Sequence, residues 1–222
     1  MHFLDAWTRL DPTEFARLML APACVMLSIA LPGRRVSGFA CLGLAVAALI
    51  APDAGGEPYL STLFTRMMWA VLWLALGAAI TRVPPDPDPD SALRRGGVES
   101  GAVGFSLGLA LFTLLVAALA RADLDEHLSR EASCALLLIS LGLIHLLVRR
   151  HVLRAALAFA ALGFGLDRLV RSAEAQQLPP PTADELAVWL ATAIAVALVV
   201  RIARLRQAGG GAWVNRAHDL HD

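Results

Sequence analysis

Charged side chains inside long apolar runs are the residues of this sequence whose type and setting could do chemistry. Arg66 stands in the stretch 61–69, STLFTRMMW, about four residues and so roughly 6 Å inside a run of apolar residues. Either the long side chain snorkels to the near interface beside Trp69, or it supplies a positive charge to a polar axis in the membrane plane. Asp167 lies near the end of the run 152–170, with Arg171 at i+4 as a local partner. It serves either as a satisfied interfacial pair or as a carboxylate that carries a proton. His145, about one turn from the end of the run 133–149, can titrate near neutrality or act as a hydrogen-bonded interfacial residue. Asp184 and Glu185 open the run 185–203, where carboxylates complement the positive end of a helix dipole.

Other chemistries find no residues. The chain has no Ser/His/Asp set, HExxH, phosphate loop, or haem or flavin fingerprint, so no catalytic site of its own and no cofactor are expected. Cys24, Cys41 and Cys134 each lie in an apolar run without CxxC or Cys–His spacing and read as small packing residues. His218 and His221 lack a third and fourth ligand nearby, so no metal is expected. All 19 basic residues are Arg, the net charge is zero, and no basic patch outside the apolar runs invites nucleic acid.

The elements that must position these groups are apolar helices. The chain is 57% apolar and 17% charged, against about 45–50% and about 25% for globular domains, and its mean hydropathy is +0.62. Apolar runs cover 15–32, 36–52, 62–80, 101–120, 133–149, 152–170 and 185–203. Each approaches the roughly 20 residues that cross about 30 Å of hydrocarbon. The expected fold is an all-α polytopic membrane protein of about seven transmembrane helices, each unbroken at its centre. The N-terminal segment lacks the basic region of a signal peptide, so the first run is expected to be retained.

Arginine placement orients the chain. Threading seven spans puts twelve arginines on one side: Arg34, Arg35, Arg82, Arg94, Arg95, Arg149, Arg150, Arg154, Arg201, Arg204, Arg206 and Arg216. The other side receives five, Arg9, Arg121, Arg130, Arg168 and Arg171, mixed with acids. The positive-inside rule then places the C-terminus in the cytoplasm and the N-terminus outside. The loop 81–100, with its alternating Pro and Asp, reads as a solvated connector. It suggests a four-helix part over 1–120, a three-helix module over 121–206 and a cytoplasmic tail over 207–222. Small residues line single faces at Gly104/Gly108, Ala161/Gly165 and Ala187/Ala191/Ala195, and these faces are expected to meet protein rather than lipid.

The run 142–169, GLIHLLVRRHVLRAALAFAALGFGLDRL, resembles the helix–turn–helix of the small K subunit of respiratory complex I and, more closely, of component E of hydrogenase-4. Val-Ser-Gly-Phe-Ala-Cys at 36–41 resembles the family's Ser/Cys-Gly-Phe-x-Ala-Cys stretch. Phe-Thr-Arg at 64–66 stands where the family has Ile-Thr-Lys in its third helix. Arg-Ile-Ala-Arg-Leu-Arg at 201–206, followed by Val214-Asn215, is similar to the basic close and Val-Asn of component E. The resemblance implies that the last three helices form a K-subunit-like module. It implies a bacterial inner-membrane subunit of an energy-converting hydrogenase, formate hydrogenlyase, or antiporter or inorganic-carbon complex related to complex I. Its partners would be membrane lipid and antiporter-like and other membrane subunits. There Arg66 stands in for a buried lysine of a lateral proton or cation path, and Arg149, Arg150 and Arg154 cap the cytoplasmic turn.

One departure matters. The family has Glu in the middle of the helix over 152–170, followed by Asn in component E, where this chain has Gly163-Phe164. Asp167, one turn away on the same face, either replaces that carboxylate at a shifted depth or leaves a packing subunit without proton handling. The competing expectations are a small stand-alone permease, disfavoured by unbroken helices, and a membrane anchor or assembly factor.

Overall fold

The computed structural model describes residues 10–31, 34–51, 60–82, 126–148, 152–174 and 182–208, together with Ser106, Leu109, Ala110, Thr113, Leu114 and Ala117. Among them are six long helices and no strand: α1 Pro12–Ala30, α2 Arg34–Leu49, α3 Leu60–Thr81, α4 Glu126–Val148, α5 Val152–Glu174 and α6 Thr182–Ala208. Most of the run 101–120, with Gly104 and Gly108, lies outside the described residues. So do most of the loop 81–100, the turn residues Arg149 and Arg150, and the tail from 209. The six described positions between 106 and 117 are helical. Thr113 Oγ1 there donates to the Leu109 carbonyl one turn back, at 2.8 Å.

Local sequence explains the helix starts and one irregularity. Pro12 occupies the first turn of α1, where its missing N–H costs nothing, and Glu14 faces the positive end of the dipole. Pro22 sits inside α1 and is buried, yet the helix runs through it without a break from Pro12 to Ala30. It removes one ladder hydrogen bond from the helix interior. The C-terminal helices are longer than their apolar runs: α4 starts at Glu126 rather than 133, and α5 continues to Glu174 rather than 170. The hydropathy signal fades where charged residues join the helix, although the backbone does not.

Among the described residues, four segments are long and apolar enough to cross a membrane: Pro12–Ala30, Thr62–Thr81, His127–Leu147 and Glu185–Arg206. This fits a membrane protein. α2 and α5 fall outside that set for different reasons. The 16 residues of α2 span only about 24 Å. α5 is long enough, but Arg154, Asp167, Arg168 and Arg171 break its apolar composition. It tolerates them because it is the central helix, packed between α4 and α6 and touched by α3.

The packing joins an N-terminal group to a C-terminal one. α2 packs between α1 and α3, and α5 between α4 and α6. The groups meet where α1 lies on α4 and α3 lies on α5 and α6. Trp69 and Trp73 of α3, both fully buried, close on Phe164 of α5, with ring centroids 5.2 and 6.1 Å apart. Such tilted and edge-on pairs are favoured by ring quadrupoles beyond the area they bury. Exposed Leu186, Leu190, Ile194, Leu198, Ile202 and Leu205 leave a long apolar side on α6, as a lipid-facing helix requires.

Close approach of α5 to its neighbours rests on glycine. A Cβ at Gly165 would lie 2.9 Å from the Ala135 carbonyl oxygen and 2.9 Å from Ile139 Cγ1, both on α4. A Cβ at Gly163 would overlap the Thr192 side chain of α6. Ala161 is fully buried as well, so the Ala161/Gly165 face meets protein as expected. Ala187 and Ala191 do not: both are exposed.

Gly165→Ala is expected to lower stability by about 1–3 kcal/mol, because the new methyl meets backbone that cannot rotate away. Gly163→Ala should be partly restored by Thr192→Ala, which removes the overlapping atoms. Unfolding of the purified variants in mixed micelles measures both effects; equal rescue of the two glycine variants by Thr192→Ala would contradict the assigned contacts.

Candidate functional site

Three helices bring charge together at one end of the bundle. Arg66 and Trp69 are three residues apart on α3 and share a face. On α5, Phe164, Asp167, Arg168 and Arg171 follow the i, i+3, i+4, i+7 pattern and form one stripe. Glu131 reaches the same place from the second turn of α4. These seven side chains, with Ala48 and Ala51 from the end of α2, line one cavity of about 20 Å³. That is room for about one water.

Every charged group around the cavity except Arg171 is nearly cut off from the surface. Relative exposure is 1% for Asp167, 8% for Glu131 and Arg168, and 9% for Arg66. Arg171 Nε donates to Asp167 Oδ2 at 3.1 Å, and the same guanidinium reaches Glu185 of α6 at 3.5 Å. The Arg168 guanidinium lies over the Phe164 ring, 5.6 Å from its centroid, a cation–π contact. Of the arginines that line the cavity with Glu131 (Arg66, Arg168 and Arg171), Arg168 exerts the strongest attraction on it. Glu131 Oε1 and Asp167 Oδ1 accept no hydrogen bond from the described residues. The Trp69 indole N–H lies beside the Asp167 carboxylate without closing a well-formed hydrogen bond.

The expected candidates divide cleanly. Arg66 and Asp167 face the same cavity, and Arg66 is turned into the bundle rather than out to the interface. Asp167 makes the expected i+4 pair with Arg171. His145 is not part of the cluster. It lies 14 residues beyond Glu131 on α4, about 21 Å along the axis. There it is fully buried in the last turn of α4, with Nδ1 3.4 Å from Ser28 Oγ of α1. Arg154 is half-buried at the start of α5 and likewise remote. Glu131 and Arg168 were not among the expected site residues. The spacing of 164, 167, 168 and 171 could have flagged Arg168. Glu131 had only a weaker signal, His127 one turn before it on a helix that starts earlier than its apolar run.

The two ends of the bundle differ in charge. Glu14 meets Arg130 at 3.2 Å where α1 and α4 begin. Every Asp and Glu of the six helices lies at this mixed-charge end. The opposite end holds Arg34, Arg35, Arg154, Arg201, Arg204 and Arg206, with Arg82 just past α3. No metal-binding group of three His, Cys, Asp or Glu side chains occurs among the described residues. No family model matches this chain, and neither a curated protein nor a solved structure matches it.

Asp167→Ala should destabilise by about 3 kcal/mol, because it strands buried guanidinium charge. Arg130→Ala, in a pair whose Glu14 side chain is 32% exposed, should cost less than about 1 kcal/mol. Thermal unfolding of both variants in the same detergent checks the order.

Proposed function

We propose that this chain is an integral membrane subunit of a complex I-related, ion-translocating assembly, of the energy-converting hydrogenase, formate hydrogenlyase or antiporter and inorganic-carbon kind. In it the chain docks neighbouring subunits and carries one step of a lateral proton path. The observation that carries this reading is the buried cluster of Arg66, Glu131, Asp167, Arg168 and Arg171 around a cavity. Charge at membrane depth is expensive and is kept where it serves transport or pairing. The resemblance to component E of hydrogenase-4 over 142–169, and the Phe-Thr-Arg stretch that contains Arg66, point the same way.

The chemistry favours a proton over a metal ion. Three guanidinium groups face two carboxylates at the cavity, so no net negative charge invites a cation. A water between Glu131 Oε1 and Asp167 Oδ1 lets a proton pass: the O–H of protonated Glu131 goes to the water oxygen while the water gives its own proton to Asp167. Glu131 is left ionised, Asp167 neutral and the water unchanged. Asp167 thereby takes the part of the carboxylate missing at Gly163. The segregation of charge fits a bacterial inner membrane with the arginine end in the cytoplasm, the C-terminus there and the N-terminus outside. Arg149, Arg150 and Arg154 belong to the cytoplasmic turn in this arrangement.

Mild solubilisation followed by native electrophoresis should place the chain in a large assembly containing antiporter-like subunits. Migration alone at every detergent level overturns the subunit reading. In vesicles that hold the assembly, Asp167→Asn and Glu131→Gln should each abolish most coupled proton uptake. Unchanged uptake in both leaves docking as the only role.

A further inference from the structure

The arginine end carries a second cavity, a furrow of about 370 Å³ along the first turns of α2 and the last turns of α3. Its floor is made of Gly38, Cys41 and Gly77 and its walls of Phe39, Leu42 and Leu74. The floor is deep because the two helices nearly touch there. A Cβ at Gly38 would lie 2.7 Å from Thr81 Cγ2, and one at Gly77 would lie 3.0 Å from Cys41 Cβ. The walls stand clear of the bundle, with Phe39 70%, Leu42 50% and Leu74 49% exposed. An open, narrow, apolar furrow between two helices suits a single flexible hydrocarbon chain.

Its mouth is cationic. Arg35 lines the furrow and Arg82 follows Thr81, which also lines it; both are exposed. No Asp or Glu among the described residues lies at this end. Asp86, Asp88 and Asp90 follow Arg82 in the sequence, outside the described residues. Basic pockets between membrane helices bind anionic head groups, each arginine near an anionic surface adding attraction. We propose that the furrow holds one acyl chain of an anionic phospholipid whose phosphate lies against Arg35 and Arg82. This binding site does not depend on the proton path at the other end, nor on membership of a larger assembly.

The full chain, purified in detergent and incubated with mixed micelles of phosphatidylglycerol and phosphatidylethanolamine, tests the site by native mass spectrometry. One phosphatidylglycerol should be retained in preference to phosphatidylethanolamine. Arg35→Gln should lower that preference about fivefold, and Ala78→Phe, which fills the furrow, should lower retention of both lipids. Arg201→Gln, at the same end on α6, should change neither. Equal retention of the two lipids by the unmodified chain, or an equal effect of Arg201→Gln, overturns the proposal. A benzophenone side chain at exposed Leu42 gives an independent readout in nanodiscs containing phosphatidylglycerol. A lipid adduct supports the site; an adduct to residues 101–120 shows that the chain's own apolar run fills the furrow and overturns it.

Discussion

Charge buried among apolar helices must be neutralised by other charge, and the mixed-charge end of this bundle is arranged around that requirement. Asp167 is paired there with Arg171, and Arg171 reaches Glu185 as well, so one guanidinium ties α5 to α6. Glu131 of α4 lines one cavity with Arg168 and Arg171 of α5 and Arg66 of α3, so the charges of three helices meet there. Glu14 and Arg130 do the same for α1 and α4. Buried pairs add little net stability, because desolvation offsets most of their attraction. Breaking one is costly, however, so such pairs specify which helix ends lie together. Packing elsewhere must supply the stability.

That packing comes from α5. Beside the larger Phe164 and Leu157, its inner faces carry small residues: Gly165 against α4, Gly163 against α6, and buried Ala156, Ala160 and Ala161. Van der Waals contact at short range is what holds helices together when hydrocarbon outside is as apolar as the side chains inside. Central placement also frees α5 from having to be greasy. Helices that face outward, such as α6, need a continuous apolar side, whereas α5 can carry five charged residues because other helices surround it. The same geometry accounts for the glycine at 163. With Thr192 pressed against it, no side chain fits, and a carboxylate there would require α6 to move. A carboxylate on α5 can be housed one turn further along, where α6 draws in Glu185 and leaves room for Arg171.

Periodicity made the helices and two of the cluster's members legible in the sequence, and left the third dimension out. Asp167 with Arg171 is an i+4 pair and can be read from one helix alone. Arg66 stands out because it interrupts apolar residues. Glu131 escapes such reading because it precedes the apolar run that begins at 133, and only the extension of α4 back to Glu126 brings it into the bundle. Arg168 lies within the run 152–170, yet reads as end-of-span charge beside Arg171 until α3 and α4 are seen to close over it. Snorkelling of Arg66 beside Trp69 is one of two readings open in the sequence; in the structure Trp69 is fully buried against Phe164. The choice between snorkelling and burial for Arg66 depends on what α2, α4 and α5 place beside it, and no spacing within α3 contains that information.

Exposure is graded across the cluster. Asp167 is enclosed, while the side chains of Arg171 and Glu185 are 18% and 16% exposed. Trp69 and Trp73 pack against Phe164 on the other flank, all three buried. Polar continuity from Asp167 therefore runs along Arg171 to Glu185, toward the start of α6. Ala187 and Ala191 lie within two turns of Glu185 on the same helix and are uncovered in the isolated chain. Small residues invite another helix to approach closely. A helix seated there would lie next to the only partly open members of the charge cluster among the described residues. On the proposed reading of the chain as a subunit, docking and charge relay would meet at that place on α6.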